Sequence, residues 1–335
     1  MLNDHERFEG VVLAAGMGTR MMPFSEHFPK PLLPVANRPL IFHEIDYLRS
    51  IGVRKVFIVI GHLGHEIVLG VQRGGDLGVE IEFVQQHSSL GTAHALMQLE
   101  QRIQHPFVLL LGDIYFEADA AVNPIECLRA QNAAGFLAVL REKNPRLVQR
   151  NFAVHFDPDG RVTRVVEKPR FPRTDWKGCG IYVFDVTIFD AIRRTPRSAA
   201  RDEYELTDAI QIFMDDGNKV VAQPIVTTDI NLTFPYDLLL ANLSALRRLG
   251  CDNLVAPDAQ VNPKATLANC IIGPRARVTE PISLRHCLIL PDAVVSTVEP
   301  VDREIFTPDR VVDCRHWIDS AGRLRGGEQS AQKTA

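Results

Sequence analysis

The N-terminal part of the chain, up to Leu111, alternates short apolar runs with segments of helical periodicity, and this alternation constrains the fold more than any other feature. Gly10 to Ala15 and Pro106 to Leu111 are continuous apolar runs, typical of strands buried on both faces of a parallel sheet. Between them, Ile41, Ile45 and Leu48 recur at helical spacing. Strands and helices joined by short connections predict a parallel sheet covered by helices on both faces.

A glycine-containing turn follows the first apolar run, at the end of a strand where such sheets bind ligands. Gly16 and Gly18 are separated by one residue, so backbone N–H groups can approach phosphate oxygens closely. Arg20 adds a planar cation suited to the same oxygens. The third glycine of a dinucleotide fingerprint and the Lys-Ser or Lys-Thr of a Walker loop are absent. Taken alone, the segment could also be a plain turn.

Two further charged residues stand in unusual positions. Lys30 lies between Pro29 and Pro31, and we expect these prolines to hold it in a stiff extended segment outside any helix. Asp113 comes just after an apolar strand, where burial of its charge requires a compensating cation; a turn or helix-capping role is the ordinary alternative. His62 and His65 in a glycine-rich loop are interpreted as structural and not as a metal pair.

The segments GMGTRMMP and PKPLLPVANRPL together resemble the signature of the sugar-1-phosphate nucleotidyltransferases. This family, also called the nucleotide-sugar pyrophosphorylases, contains glucose-1-phosphate thymidylyltransferases and N-acetylglucosamine-1-phosphate uridylyltransferases. The resemblance implies a Rossmann-like three-layer α/β/α domain with a mostly parallel sheet. It also implies transfer of a nucleotidyl group from a nucleoside triphosphate to a sugar 1-phosphate, with release of pyrophosphate and a requirement for Mg²⁺.

The same resemblance assigns roles to individual residues. The catalytic residues it implies are Arg20, Lys30, Asp113 and Lys168. The implied nucleotide-binding residues are Leu13, Ala14, Ala15, Gly16, Gly18, Thr19, Gln86, Gly91 and Thr92. The implied sugar-binding residues are Ala153, Glu167, Lys168 and Gly180. The family often has glycine where Ala153 stands. The methyl group of Ala153 narrows the expected floor of the sugar pocket, but the backbone N–H donor at this position is kept.

The resemblance implies that Asp113 is one magnesium ligand, and two neighbouring residues compete for the second position. Counting back from Pro235 places Asn231 at the ligand position, whereas Asp229 is the acidic alternative. The side-chain oxygen of asparagine is a hard donor that magnesium accepts. We therefore expect Asn231 to be the second ligand.

The residue pattern of the sequence changes after Leu254. An aliphatic residue recurs about every six positions in VAPDAQ, VNPKAT, IIGPRAR and ILPDAVV, a period that predicts a parallel β-helix. Resemblance to hexapeptide-repeat proteins implies that it is left-handed. The expected domains are a nucleotidyltransferase domain over 1–249, a short β-helix over 250–318 and a disordered tail over 319–335. The β-helix is interpreted as a packing or oligomerisation module, with acyl transfer as the alternative.

Composition excludes several classes of function. A net charge of −4 argues against a surface that coats nucleic acid. The 6 cysteines are scattered without the paired spacing of a zinc site, as expected for reduced cytosolic thiols. No apolar run reaches membrane-spanning length. We expect a cytoplasmic homo-oligomer with no nucleic-acid or membrane partner.

The predicted reaction is therefore a single in-line displacement at the α-phosphorus of a nucleoside triphosphate. UTP is favoured over dTTP, because Leu13-Ala14-Ala15-Gly16 resembles the uridylyltransferase form of the motif. The rival from another class is a nucleotide-sugar-binding regulatory subunit of the same fold without turnover. The joint retention of four charged residues counts against that rival, namely Arg20, Lys30, Asp113 and Lys168. The sequence does not identify the sugar.

Overall fold

A computed structural model describes residues 7–22, 24–26, 28–199 and 201–325 of the chain. The described residues within 1–18, 27–32 and 41–229 form one compact unit, and those within 19–26, 33–40 and 230–335 form a second. This division differs from the boundary expected at residue 250. The helix that precedes this boundary groups with the C-terminal repeats, as do two short N-terminal segments.

Apart from a short hairpin over 34–39, the strands and helices up to Leu111 follow the predicted alternation, and further strands and helices continue to residue 249 without it. The strands are β1 (Glu9–Ala14), β2 (Pro34–Val35), β3 (Arg38–Pro39), β4 (Lys55–Ile60), β5 (Glu80–Gln85), β6 (Phe107–Leu111), β7 (Ile114–Ala118), β8 (Gly135–Arg141), β9 (Phe152–Phe156), β10 (Val162–Glu167), β11 (Trp176–Phe184), β12 (Val220–Gln223) and β13 (Val226–Asn231). The helices are α1 (Leu40–Ser50), α2 (Gly64–Arg73), α3 (Thr92–Met97), α4 (Pro124–Ala130), α5 (Pro145–Arg150), α6 (Ile188–Arg194), α7 (Leu206–Asp215) and α8 (Pro235–Leu249). None of the described helices is both long and apolar enough to span a bilayer.

The first unit is built on one large sheet. Its strand order is β10-β9-β11-β6-β1-β4-β5, and β8 pairs with both β11 and β12. The pairings of β1 with β4 and β6 are parallel, whereas β11 runs antiparallel to β6 and β8. The predicted α/β architecture is confirmed, and the antiparallel β11 divides the sheet into two parts.

Both faces of this sheet are buried, which explains why the central strands are continuously apolar. Val11 and Leu13 belong to a cluster on one face, while Val12 and Ala14 belong to a cluster on the other. Side chains alternate across a strand, so a strand covered on both sides needs an apolar residue at every position.

The second unit contains the predicted left-handed β-helix. Its strands are β14 (Asn253–Val255), β15 (Gln260–Val261), β16 (Thr266–Ala268), β17 (Cys270–Ile272), β18 (Arg277–Val278), β19 (Ser283–Arg285), β20 (Leu288–Ile289), β21 (Val294–Val295), β22 (Val301–Asp302), β23 (Glu304–Phe306) and β24 (Val311–Asp313). They form three sheets, ordered β14-β17-β20-β23-β24, β15-β18-β21 and β16-β19-β22. Apart from the last strand, β24, which turns back antiparallel, these strands pair in parallel.

Successive coils of the β-helix repeat at a constant interval along the chain. Asn253 pairs with Cys270, and Ile271 pairs with Leu288, so each residue lies beside the one 17 positions later. A coil made of three faces with one hexapeptide each would be one residue longer than this interval. One corner of each coil is therefore one residue shorter than the hexapeptide period predicts. Prolines at 257, 274 and 291 repeat at the same interval, and each is followed two positions later by a buried or half-buried alanine.

The chain after β24 differs in part from the expected disordered tail over 319–335. A bridge joins Ile318 to Leu324, and the amide of Arg325 donates to the carbonyl oxygen of Trp317 at 2.8 Å. Residues 319–325 are therefore an ordered turn. The rest of the expected tail, 326–335, lies outside the described residues.

Candidate active site

The carboxyl ends of β1 and β6 lie side by side in the first unit. The amide of Gly112 donates to the carbonyl oxygen of Leu13 at 2.9 Å. A Cβ on Gly112 would lie 2.8 Å from that oxygen, so glycine is needed for this approach. Asp113 is thereby fixed at the end of the sheet where the loop with Gly16 and Gly18 begins.

Lys30 and Asp113 are brought together. The Nζ atom of Lys30 donates to Oδ2 of Asp113 at 2.9 Å, with side-chain exposures of 12% and 36%. The backbone of Lys30 differs from the expected extended segment, since Lys30–Leu32 forms a single 3₁₀ turn closed by a bond from the amide of Leu32 to the oxygen of Pro29. Proline is compatible with a short turn because its fixed φ suits a 3₁₀ helix.

The donor chemistry of Asp113 fits a magnesium ion. A partly exposed carboxylate at a strand end offers the hard oxygen that Mg²⁺ prefers, and Mg²⁺ is often held by one or two carboxylates together with substrate phosphates. No cluster of three or more His, Cys, Asp or Glu side chains suited to a metal occurs in the described part of the chain. A site using Asp113 therefore depends on the phosphates or on non-acidic ligands.

Glu44 on α1 is a fully buried carboxyl group whose two side-chain oxygens lack a hydrogen-bond partner among the described residues. Burial, followed by the charge of Asp113, raises the pKa of Glu44 well above its ordinary value. Both causes disfavour the ionised form of Glu44, which would place a second negative charge near Asp113.

The loop predicted to recognise the base is tied to the segment before α7. The amide of Ala93 donates to the oxygen of Tyr204 at 2.9 Å, and the amide of Tyr204 donates to the oxygen of Leu90 at 2.8 Å. A Cβ on Gly91 would lie 2.5 Å from the oxygen of Tyr204, and its φ is +109°. The hydroxyl of Thr92 accepts from the amide of Leu206 at 3.0 Å.

Gln86 is 5% exposed and its side chain already has a partner. Its Nε2 lies 2.9 Å from Nδ1 of His94, whose ring stacks on Tyr204 at a centroid distance of 6.2 Å. The amide group is therefore held in a defined orientation by the neighbouring helix α3.

Glu167 and Lys168, predicted to contact the sugar and its phosphate, lie at the end of β10 within a charged cluster. The Nη2 atom of Arg201 donates to Oε1 of Glu167 at 2.9 Å, and the hydroxyl of Thr207 donates to Oε2 at 3.1 Å. Lys168 Nζ lies 3.4 Å from Glu167 Oε1. Arg201 also pairs with Glu205. Both carboxylate oxygens of Glu167 are thus occupied by donors.

This cluster perturbs two further acids. The pKa of Glu205 is raised to about 7 because burial and the charge of Glu167 outweigh the attraction of Arg201. Burial and the charge of Glu167 also raise the pKa of Asp208. Glu205 therefore titrates near neutrality, unlike an ordinary surface carboxylate.

The other two predicted sugar-binding residues lie on neighbouring strands of the sheet. Ala153 on β9 pairs with Lys177 on β11, and Gly180 follows three residues along β11. A Cβ on Gly180 would lie 2.7 Å from Cδ1 of Ile114, so the strand packs tightly at this point. Gly180 therefore has a packing role in addition to any role in the pocket.

Lys177 forms a buried ion pair that the sequence did not predict. Its Nζ donates to Oδ1 of Asp229 at 2.6 Å and to the backbone oxygen of Asp229 at 3.2 Å. The two side chains are 3% and 1% exposed. Burial favours the neutral amine, but the charge of Asp229 and its hydrogen bond, together with Cys179 and Glu142, outweigh this effect and raise the pKa of Lys177. Oδ1 of Asp229 is thus paired with a protein cation, while its buried Oδ2 has no hydrogen-bond partner among the described residues.

In the second unit, Thr19 and Arg20 lie in the 3₁₀ turn Thr19–Met21, which is anchored by the fully buried Met21. The guanidinium carbon of Arg20 lies 6.0 Å from the ring centroid of Phe234. Asn231 at the end of β13 accepts a hydrogen bond from the hydroxyl of Thr233 at 3.0 Å through Oδ1, the same oxygen that would ligate a metal.

Sequence reasoning did not single out Arg201, Thr207, Glu205 or Lys177. The first three belong to the run RDEYELTD, which is rich in charged and polar residues and leads into the first turn of α7. Such a concentration of charge at the start of a helix is a signal available from the sequence. The partner of Lys177 is 52 residues away, and no local pattern reveals it.

A comparison with known proteins matches residues 9–228 to the family model described as nucleotidyl transferase. The low-salt glycan biosynthesis nucleotidyltransferase Agl11 of Haloferax volcanii is 32% identical over 264 residues, which cover 78% of this chain and 72% of that protein. The UTP–glucose-1-phosphate uridylyltransferase AglF of the same organism is 31% identical over 229 residues, covering 68% and 93% respectively.

Among solved structures, a UDP-glucose pyrophosphorylase complexed with UDP-glucose matches with a TM-score of 0.62 at 20% identity. The match covers 72% of this chain and 99% of that one. At this identity the likeness concerns the fold.

Proposed function

The chain belongs to the nucleotidyl transferase family and is a sugar-1-phosphate nucleotidyltransferase, and from that premise we propose that it uses UTP, with dTTP as the less favoured donor. The resemblance of the segment 13–16 to the uridylyltransferase form of the motif and the similarity to AglF support the choice of UTP. The Lys30–Asp113 pair at the carboxyl end of the central sheet is the observation that carries the proposed triphosphate site. It places a cation and a hard oxygen donor together where parallel sheets bind their ligands.

The proposed reaction is a direct displacement. An oxygen of the sugar 1-phosphate attacks the α-phosphorus, a new O–P bond forms, and the bond to the bridging oxygen breaks so that pyrophosphate leaves with the electron pair. Such transfers depend on positioning and on stabilisation of charge. Arg20 and Lys30 supply positive charge to the triphosphate, and Lys168 supplies it to the sugar phosphate.

Asp113 would hold Mg²⁺, which neutralises charge on the phosphates when it is bound. The side chains of the protein hold the other charges in position. Lys30, only 12% exposed, keeps its ammonium next to the carboxylate of Asp113 and so resists displacement by solvent. Glu167 orients Lys168 while Arg201 and Thr207 fix Glu167.

For the second ligand we favour Asn231 over Asp229. The carboxylate of Asp229 is paired with Lys177 and only 1% exposed, whereas that of Asp113 is 36% exposed, and this difference in access to an ion supports the choice. The amide oxygen of Asn231 is a suitable hard donor.

Pyrophosphate release tests the proposal. The pure chain would be incubated with Mg²⁺, one nucleoside triphosphate at a time and a panel of sugar 1-phosphates. We expect release that needs both substrates and is fastest with UTP. Binding of a nucleotide sugar without any release would instead support the regulatory subunit, and a clear preference for dTTP or a purine would refute the choice of base.

A further inference from the structure

A run of aromatic rings connects the C-terminal segment to Arg20 within the second unit. The ring of Trp317 lies 5.3 Å from that of Tyr236, and Tyr236 lies 5.5 Å from Phe234, with an interplanar angle of 15° in both pairs. Arg20 lies over the face of Phe234. We call Phe234, Tyr236 and Trp317 the aromatic stack.

Both ends of the aromatic stack are fixed by hydrogen bonds that their backbone groups form. The amide of Phe234 donates to Oδ2 of Asp237 at 2.8 Å, just before α8 begins. The amide of Trp317 donates to the oxygen of Cys314 at 3.0 Å, and its oxygen accepts from Arg325 at 2.8 Å. The stack is therefore held by ordered segments on both sides.

We propose that Trp317 is a positioning residue for Arg20 and that it acts through the aromatic stack on the binding of the nucleoside triphosphate. This proposal rests on the proposed role of Arg20 at the triphosphate. Arg20 is exposed on its turn, so its long side chain has many rotamers available in the absence of a constraint. The face of Phe234 attracts the guanidinium, and Trp317 and Tyr236 limit the motion of that face.

The chemistry of the contact predicts which kinetic parameter changes. A guanidinium that is already oriented binds phosphate oxygens with a smaller loss of side-chain entropy. Loss of the stack should therefore weaken binding of the triphosphate and leave binding of the sugar phosphate unaltered. A purely structural role for Trp317 would affect both substrates or neither.

The test compares three substitutions in the full chain. Trp317→Ala should raise the KM for UTP about fivefold, the scale of one cation–π contact, with an unchanged KM for the sugar phosphate. Trp317→Phe retains a ring and should stay within about twofold of the wild type. Val311→Ala removes an exposed apolar side chain of the same unit and serves as the control. Equal KM values for UTP in all three variants would overturn the proposal.

A double-substitution cycle separates this proposal from the role of Arg20. Arg20→Ala should lower turnover strongly, and adding Trp317→Ala to it should produce no further change in the KM for UTP. A further rise in the double variant would show that Trp317 acts elsewhere. Wild-type turnover in Arg20→Ala would instead overturn the proposed role of Arg20.

Fluorescence gives a measurement that does not require Trp317→Ala to fold. The chain has 2 tryptophans, so Trp176→Phe leaves Trp317 as the single emitter. We expect UTP binding to change its emission, and the change should be lost in the same variant carrying Arg20→Ala. Constant emission at saturating UTP would contradict the proposal.

Discussion

The charge of Lys177 can remain in the interior only because Asp229 compensates it. Removing one partner of a buried ion pair leaves an uncompensated charge, which costs far more than the pair contributes. The pair also fixes the backbone of β13 two residues before Asn231, since Lys177 donates to the main-chain oxygen of Asp229. A structural role for Asp229 is thus independent of magnesium.

Asp229→Asn should lower the free energy of unfolding by about 3–5 kcal/mol, because the ammonium of Lys177 would lose its counter-charge. Urea denaturation measures this loss. The matched control is the double variant Lys177→Met with Asp229→Asn, in which no charge remains buried and the loss should be smaller. An equal loss in both variants would contradict the importance of the charge.

Magnesium titration tests the assignment of the second ligand. Asn231→Ala should raise the magnesium concentration needed for half-maximal activity and lower turnover, because it removes a hard oxygen donor. Asp229→Asn, assayed where it is fully folded, should have the smaller effect. The reverse order would transfer the ligand role to Asp229.

The raised pKa of Glu205 predicts that the stability of the folded protein depends on pH. Its pKa in the folded protein is about 7, above the ordinary value of 4.5, so the folded state binds the proton more tightly than the unfolded chain. The corresponding stability is complete below pH 4.5 and is lost as the pH rises through 7. Glu205→Gln should therefore flatten the fall of Tm across that interval, as measured by thermal unfolding. A fall as steep as in the wild type would refute this.

At the scale of elements, the sequence predicted what local periodicity encodes. The strands β1 and β6 and the helix α1 lie within a few residues of the predicted positions, because apolar spacing alone determines them. The antiparallel insertion of β11 between β6 and β8 depends on pairings between distant residues. Local pattern carries no information on such pairings.

The candidate site likewise has residues that local motifs predict and contacts that they do not predict. Lys30 and Asp113 could be found from motifs, whereas their contact joins residues 83 positions apart. The expectation of an extended chain at Lys30 is wrong. The fixed φ of proline suits the 3₁₀ turn Lys30–Leu32 as well as an extended chain. The role of Trp317 is not predicted because it lies in the expected β-helix over 250–318, whose aliphatic period carries no information on a ring contact with Tyr236.

Gly91→Ala tests the contact between the base loop and the segment before α7. The new methyl group would meet the backbone of Tyr204 at 2.5 Å, and we expect a lower affinity for the nucleotide and a loss of stability of about 1–3 kcal/mol. Isothermal titration and thermal unfolding measure the two effects.

Gly217→Ala is the matched control for Gly91→Ala. Gly217 also has a positive φ, +92°, but its Cβ would meet open space. The control should therefore lose some stability and no nucleotide affinity. Equal affinities for the two variants would show that the clash with Tyr204 has no effect on binding.

For the whole molecule, the division into two units means that the C-terminal repeats are not an independent appendage. Segments 19–26 and 33–40 group with 230–335. Asn242 of α8 accepts from the amide of Ala36 and donates to the oxygen of Pro34, both at 2.9 Å. Asn37 donates to the oxygen of Ile272 at 2.9 Å. The signature segment thus relies on partners far away in the sequence.

Truncation after residue 253 should lower both Tm and turnover as well as change assembly, because the segment 33–40 would lose its contact with β17. Thermal unfolding, pyrophosphate release and light scattering measure the three effects. Asn37→Gly retains the positive φ of 60° and removes only the bond to Ile272, so it should reproduce a small part of the loss. A truncated chain with wild-type Tm and turnover would contradict this expectation.

The constant interval between coils, seen in the pairing of Asn253 with Cys270 and of Ile271 with Leu288, makes the length of the β-helix a stepwise quantity. After deletion or duplication of one whole coil, every inward aliphatic side chain would still stack on the equivalent side chain of the next coil. Every proline would likewise keep its place at a corner between two faces. An insertion of any other length would rotate the following residues, so that charged side chains such as Arg277 and Arg285 would turn towards the core. The fold is therefore compatible with the gain or loss of whole coils, whereas a single-residue insertion within a face would disrupt the core of every following coil.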